Sequence, residues 1–354
     1  MSRRIFLIRH AMPDIPLGQR WCVGGRSDFP LGRLGRIQAA RLPFVKELEG
    51  VQTVFASPLV RAIETARPLC DAPRIMPGLE EQDMGVWDGL SFREIMARYP
   101  ALYAARENDP SLLPEGAESA EAVAGRMRAA ILRCLRESEG DIALVSHKGA
   151  IAAITGQRSR LGYTSLTVLE EENGELRVRD VGLPPRPEAS EELCLAMLRA
   201  AGADEALVAH CRAVAALADE LCVALRERGV ELDTAAVHAA ALLHDIAKGE
   251  RDHAAVGGLW LKELDYPELA EIVRQHTEPD SDALSEAGLV FLADKLVRGE
   301  TRVALEERFG ASLEKCKTPE AQAAHARRFA LARSLKEKID RLEGAECNEY
   351  GRQL

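Results

Sequence analysis

Two dipeptides set groups able to do chemistry side by side: Arg9-His10 near the start of the chain, and His244-Asp245 well into its second half. Arg9 and His10 follow Ile5-Phe6-Leu7-Ile8, a continuously apolar run that reads as a parallel strand buried on both faces. The pair therefore emerges at a strand's carboxyl end, where ligands sit in open α/β sheets. A second run, Ile142-Ala143-Leu144-Val145, ends in Ser146-His147, and a third, Val54-Phe55-Ala56, ends in Ser57-Pro58 with Arg61 one turn into the next helix. Any one His or Arg at a strand end is most often an ordinary surface residue, so the argument rests on the coincidence of all of them. Guanidiniums offer permanently charged, bidentate donors to phosphoryl oxygens, and a neutral imidazole beside them can attack phosphorus to form a phosphoenzyme.

The second half holds His210, His238, His244, His253, His276 and His325, with Asp245 directly after His244. His210 shares a helical stripe with Leu207, Val214 and Leu217; His276 follows Ile272 and Val273 by one turn, and Asp294 follows Val290 and Phe291 likewise. Each histidine alone reads as a satisfied core residue. Ionised carboxylates and imidazoles brought inward together need compensation, and metal coordination supplies it. Ligands without thiolate suit iron, manganese or zinc. His238 and His325 fall outside this pattern and read as surface residues.

The elements that must position these groups differ between the halves. Up to about residue 182, β-rich runs at 5–8, 52–56, 142–146 and 164–169 alternate with helical stretches, the rhythm of a sheet with crossover helices. Pro184, Pro185 and Pro187 then stop any helix or central strand. From about 190 to 343 strands disappear and apolar residues recur at helical spacing, with Leu207, Val214, Leu217, Leu221 and Leu225 on one stripe; the tail from Ala345 lacks periodicity and is expected to fray. The expected organisation is a domain over 1–183, a Pro-rich linker over 184–190 and a second domain over 191–345.

A chain of 354 residues suits two cores better than one. With 47% hydrophobic and 29% charged residues it has an ordinary globular composition, and a net charge of -10 without a dense basic run argues against gripping nucleic acid. Its eight cysteines lack metal-type spacing and read as reduced thiols. The apolar run after Arg3-Arg4 is too short for a signal peptide, and no run reaches the length of a membrane span, so a cytoplasmic protein without a membrane partner is expected. Oligomeric state is not legible.

The first half resembles the histidine phosphatase, or phosphoglycerate mutase-like, superfamily. The segments that carry the likeness are Leu7-Ile8-Arg9-His10, Gly25-Arg26-Ser27-Asp28-Phe29-Pro30-Leu31, Ser57-Pro58-Leu59-Val60-Arg61-Ala62, Leu79-Glu80-Glu81 through Gly85-Val86-Trp87-Asp88-Gly89, and Val145-Ser146-His147-Lys148-Gly149. The resemblance implies a three-layer α/β domain, its mostly parallel sheet covered by helices on both faces. It also implies His10 as nucleophile, Arg9, Arg61 and His147 as the phosphate pocket, and Glu81 as proton donor to the leaving oxygen, with no cofactor. Ala11 stands where the family usually has Gly, and Pro13 and Pro16 where members often have Thr and Asn; Arg20, Arg26 and Lys148 are candidates to meet the substrate in their place. The Gly85–Gly89 segment resembles the branch that includes α-ribazole phosphatases, which ranks phosphatase above mutase.

The second half resembles the HD-domain metal-dependent phosphohydrolases over 204–300, through Val208-Ala209-His210, Leu242-Leu243-His244-Asp245, Asp252-His253, Arg274-Gln275-His276 and Ala293-Asp294-Lys295. That likeness implies an all-α bundle, a minimal ligand set of His210, His244, Asp245 and Asp294, further ligands His253 and His276 for a second divalent ion, and phosphate contacts from Lys248 and Arg298. The expected whole is a bifunctional phosphohydrolase acting on a small phosphorylated metabolite and on a nucleotide or other phosphate ester. The alternatives are a phosphatase regulated by a nucleotide-sensing HD domain and a scaffold with both sites decayed.

Overall fold

The apolar runs of the first half pair with one another in register. Ile5 of β1 (Arg3–Arg9) lies opposite Ile142 of β4 (Ile142–Ser146), and Thr53 of β2 (Thr53–Ala56) flanks Ile142 on the other side. In this computed structural model, which describes residues 2–16, 20–109, 111–158 and 160–349 with side chains as far as Leu342, the chain divides into two compact units, Met1–Glu188 and Ala189–Leu354.

The first unit has β3 (Arg74–Ile75), β5 (Leu166–Glu172) and β6 (Glu175–Leu183) besides β1, β2 and β4. The sheet order is β3-β2-β4-β1-β5-β6; β3, β2, β4 and β1 run parallel, and β5 and β6 add antiparallel strands at one edge. The helices are α1 (Arg33–Ala40), α2 (Val60–Ala66), α3 (Phe92–Arg98), α4 (Pro100–Asn108), α5 (Ala120–Arg136) and α6 (Lys148–Thr155). Strand side chains alternate between two cores. Ile5, Leu7, Phe55 and Leu144 pack with Met127 and Ile131 of α5 and Ile151 of α6. Phe6, Ile8, Val54 and Val145 pack on the other face with Leu42 and with Ala62 and Ala66 of α2. This two-sided burial is why β1 and β4 read as unbroken apolar runs.

Two strands of this sheet leave no signal in the sequence. The polar β6 is an edge strand with Arg177, Arg179 and Asp180 exposed, and β3 is two exposed residues long, so neither carries an apolar pattern. The run expected at 164–169 is a strand that starts later, at Leu166, and continues to Glu172.

The second unit contains α7 (Glu191–Ala200), α8 (Glu205–Glu227), α9 (Thr234–Leu243), α10 (His253–Glu263), α11 (Pro267–Gln275) and α12 (Glu286–Lys295). A short hairpin, β7 (Val297–Arg298) with β8 (Thr301–Arg302), follows, and then α13 (Leu305–Leu313) and α14 (Pro319–Glu349). The expectation that strands are absent from this half is thus corrected by one hairpin, too short to leave a periodic signal. Side chains cap the starts of α7, α8, α9 and α12: Ser190, Asp204, Asp233 and Ser285 each accept an amide of the first turn. The buried stripe of α8 is centred on Val208, Cys211, Ala215, Ala218 and Cys222; Leu207 and Leu221, expected on it, are only half-buried flanks. Helix α14 continues to Glu349, well into the tail expected to fray, while 350–354 lie outside the described residues. Among the described residues no helix is long and apolar enough to cross a membrane.

Candidate active sites

The carboxyl ends of β1, β2 and β4 meet at one place in the first unit. Backbone bonds extend the ladder past the strands, from His10 N to Ser146 O at 2.9 Å and from Ser57 N to Val145 O at 2.9 Å. His10, Arg61 and His147 are buried, and the His10 and His147 rings lie 5.0 Å apart. His10 Nδ1 sits 2.7 Å from Ala11 O; a carbonyl can only accept, so Nδ1 carries the proton and Nε2 keeps its lone pair. Burial, then Arg61, then Arg9 push the His10 pKa well below its ordinary value, so the ring is neutral.

The remaining groups form a cradle of donors. Arg61 is pinned by Ser27 O (2.6 Å) and Gly24 O (3.0 Å), and Arg9 by Leu161 O (2.8 Å), with its guanidinium stacked 3.8 Å over the Tyr163 ring. The Ser57 hydroxyl lies 2.8 Å from His147 Nε2, a contact in which the hydroxyl donates when the neutral ring carries its proton on Nδ1. Burial, followed by His10 and Arg61, keeps the His147 pKa well below its ordinary value. Arg9 Nε, Arg61 Nε and His147 Nδ1 are all buried without an acceptor among the described residues. Buried donors are normally satisfied, and an oxyanion would satisfy these.

Glu81 lies at the start of α6. Its Oε1 accepts from Gln82 N (2.8 Å) and Ala150 N (3.0 Å), and its Oε2 from Gly149 N (3.0 Å). Helix α6 has no capping side chain of its own, and this distant carboxylate takes the amides a cap would take. Arg126 fixes the segment before it through the carbonyls of Gly78, Glu80 and Glu81.

Other predicted residues are placed differently. Arg26 is exposed and bound to Asp83 (2.8 Å), away from the cavity that holds His10. Arg20 is exposed and stacks on Phe92, whereas Lys148 lines that cavity. Ala11 fits fully buried, its amide donating to Thr65 Oγ1 at 2.9 Å. Sequence reasoning gave no role to Ser57, Tyr163 or Asp88. Asp88 accepts from the amides of Gly24 (3.1 Å), Arg26 (2.9 Å) and Ser27 (3.2 Å), and so shapes the loop whose carbonyls pin Arg61. Only its place in the Gly85–Gly89 segment hinted at such a part.

The second unit gathers six of its predicted ligands into two groups: His210, His244 and Asp294, and Asp245, His253 and His276. They come from α8, the end of α9, the start of α10, the end of α11 and α12. Three rings are oriented by carbonyls at Nδ1: His210 by Gly299 O (2.9 Å), His244 by Ala241 O (2.7 Å) and His276 by Val273 O (2.7 Å). Their Nε2 atoms thus face inward as lone pairs, the arrangement seen when outer groups orient metal-binding imidazoles. His244 Nε2 is buried without a hydrogen-bond partner among the described residues, and His276 Nε2 faces His253 Nε2 at 3.2 Å. Burial opposes the charge of Asp245, yet the surrounding rings of His244, His253 and His276 hold its pKa well below the usual carboxylate range. An all-N/O donor set with an orphaned inward nitrogen fits one or two divalent ions.

Lys248 is bound to Asp245 (2.7 Å) and Lys295 to Asp294, while Arg298 is exposed. Cys211, fully buried beside His244, and Lys295 are neighbours the sequence gave no reason to select. His238 and His325 are half-buried rather than on the surface: His238 Nδ1 meets Asp219 (2.8 Å), and His325 Nε2 meets Ser312 (2.9 Å) and Phe309 O (3.0 Å).

Comparison with known proteins adds to this geometry. The family model of the histidine phosphatase superfamily (branch 1) matches residues 5–182, and that of the HD domain matches 207–299. Glucosyl-3-phosphoglycerate phosphatase of Mycobacterium tuberculosis is 30% identical over 173 residues, 45% of this chain and 77% of that protein. The bifunctional protein Rv2228c of the same organism is 33% identical over 150 residues, 41% of each chain. The native structure of mycobacterial glucosyl-3-phosphoglycerate phosphatase aligns with 52% of this chain and 100% of its own at 26% identity, with a TM-score of 0.45.

Proposed function

Because the chain belongs to the histidine phosphatase superfamily and is a phosphoric ester hydrolase that also carries an HD domain, we propose that it is bifunctional, with one metal-free and one metal-dependent phosphohydrolase site. The first site hydrolyses a small phosphorylated metabolite, of the α-ribazole phosphatase kind suggested by the Gly85–Gly89 segment. The observation that carries this reading is the neutral His10, its proton fixed on Nδ1 and its Nε2 lone pair free beside two guanidiniums.

In the first step His10 Nε2 attacks phosphorus, the bond from phosphorus to the leaving oxygen breaks, and Glu81 gives that oxygen its proton. Arg9, Arg61 and His147 Nδ1–H hold the phosphoryl oxygens as charge builds on them. In the second step water attacks the phosphohistidine, its proton passes to the Glu81 carboxylate, the N–P bond breaks and His10 returns to its starting form. His10→Ala is expected to abolish hydrolysis of a generic phosphomonoester, and EDTA to leave the unaltered chain active; complete inhibition by EDTA would overturn the covalent assignment.

For the second site we infer hydrolysis of a nucleotide or another phosphate ester. His210, His244 and Asp294 would hold one divalent ion and Asp245, His253 and His276 another, the donor set suiting iron, manganese or zinc. Bound there, such ions supply Lewis-acid polarisation of phosphate and activation of water. Lys248 and Arg298 are candidates to meet the phosphate. Purified protein is expected to carry transition metal that is lost in Asp245→Ala; a wild type that takes up none on reconstitution overturns this assignment, and tight nucleotide binding without turnover would instead favour a sensor. The free thiols of the described cysteines suit a reducing compartment, the cytoplasm.

A further inference from the structure

The two arginines of the phosphate cradle are held by different means. Arg61 is pinned by two carbonyls, those of Ser27 and Gly24, whereas Arg9 depends on one short turn, Leu161 to Thr164, just before β5 begins at Leu166. Thr164 in that turn has a φ of 55°, in the left-handed region, and is 1% exposed. For a β-branched residue this backbone is a true outlier, and it persists only where the surroundings over-determine it. Here they do so through the strand that carries Arg9. Thr164 N donates to Arg9 O (3.0 Å) and Arg9 N to Ser165 O (3.1 Å), while the Thr164 and Ser165 hydroxyls donate to Tyr163 O (2.7 Å) and Gly162 O (2.8 Å).

What the turn delivers is two contacts on one guanidinium. Leu161 O accepts from Arg9 Nη1 at its edge (2.8 Å), and the half-buried Tyr163 ring meets its face at 3.8 Å. A hydrogen bond alone would let the planar group swing about it; an edge acceptor and a ring face together leave it one orientation. In that orientation Arg9 Nε keeps a hydrogen without an acceptor among the described residues, and both Arg9 and Tyr163 line the cavity that holds His10. The Tyr163 ring also lies 5.8 Å from the His10 ring, whose orientation Ala11 O already sets. Its closest charged neighbour there is Arg9.

We propose that Tyr163 is a positioning residue of the histidine-phosphatase site: its ring face fixes the Arg9 guanidinium in the plane that meets the phosphoryl oxygens, and the strained turn at Thr164 keeps the ring there. The proposal rests on the phosphohistidine reading above and adds to it a residue that acts through Arg9 and not on the leaving group.

The test uses the full chain in EDTA. Tyr163→Leu removes the ring and is expected to lower kcat/KM by about tenfold, the factor that a partly desolvated cation–π contact is worth. The loss should be in the same proportion for p-nitrophenyl phosphate and glycerol 3-phosphate, and calorimetric binding of orthophosphate, which has no leaving group, should weaken likewise. Tyr163→Phe keeps the ring face and is expected to restore both measurements to within about twofold of the unaltered chain. A double-mutant cycle on orthophosphate affinity then separates a route through Arg9 from an independent effect: in an Arg9→Ala background Tyr163→Leu is expected to change affinity by less than about twofold. Should the leucine variant not fold, Tyr163→Met, which keeps bulk and loses the ring, takes its place in every measurement. Additive losses in the cycle, a loss confined to one leaving group, or a phenylalanine variant as weak as the leucine variant overturns the proposal. If His10→Ala retains the full phosphomonoesterase rate, the phosphohistidine reading itself has failed, and the affinity cycle shows separately whether Tyr163 acts through Arg9.

Discussion

His10 and His147 are imidazoles whose burial beside arginines keeps them unprotonated. Activity that needs a neutral His10 is therefore expected to keep kcat/KM flat through pH 6.5, the ordinary histidine value, with the acid limb below it. A limb at or above that pH would contradict the burial argument. Arg61 is the largest charge acting on His10, so Arg61→Ala should move the limb towards higher pH while lowering kcat/KM by about 100-fold or more through lost stabilisation of the phosphoryl oxygens. The sign for stability follows from the same shifts. Both folded-state values are depressed, so the unfolded chain binds more protons below its own histidine pKa. Their contribution to the stability of the first unit is fully present above about pH 6.5 and falls as pH drops towards the folded values, readable as earlier urea unfolding of that unit at pH 5 than at pH 7.

At the scale of elements, Gly149 in the first turn of α6 matters for what it lacks: a Cβ there would lie 2.4 Å from Glu81 Oε1. Gly149→Ala is expected to push the carboxyl off the helix amides and, in kcat/KM, which reports the first step, to slow esters of poor alkyl leaving groups far more than p-nitrophenyl phosphate, whose p-nitrophenolate departs without a proton. Equal losses on both would remove Glu81 from the acid role. Asp88 acts on a loop instead. Asp88→Asn puts an amide against backbone N–H groups of 24–27, so weaker vanadate inhibition is expected per active site, with the phosphoenzyme-competent fraction unchanged. Strands β1, β2 and β4 were legible because burial on both faces leaves uninterrupted apolar runs, and they brought His10, Arg61 and His147 with them. The edge strand β6 and the β7–β8 hairpin were not, since a solvated edge needs no apolar pattern. Nor could the Glu81 contact with α6 be read, because it joins residues 68 and 69 positions apart that only tertiary folding brings together.

For the molecule as a whole, the two proposed sites should respond to different reagents. Ligands that bind only the folded state stabilise it by about 2.7 kcal/mol at 100 times Kd. Chelation is thus expected to lower the melting of Ala189–Leu354 and orthophosphate to raise that of Met1–Glu188, followed by hydrogen exchange in each segment; chelation that loosens the first unit instead would contradict the metal-free assignment. The proline stretch bears on how such experiments are built. Pro185 and Pro187 are buried, and Pro185 O accepts from Arg41, itself only 3% exposed, at 3.0 Å. What reads in the sequence as a spacer is thereby the closing stitch of the first unit. A protease or a cloning boundary that severs the chain at Pro184 strips a buried guanidinium of that acceptor, whereas one placed after Glu188 leaves it whole.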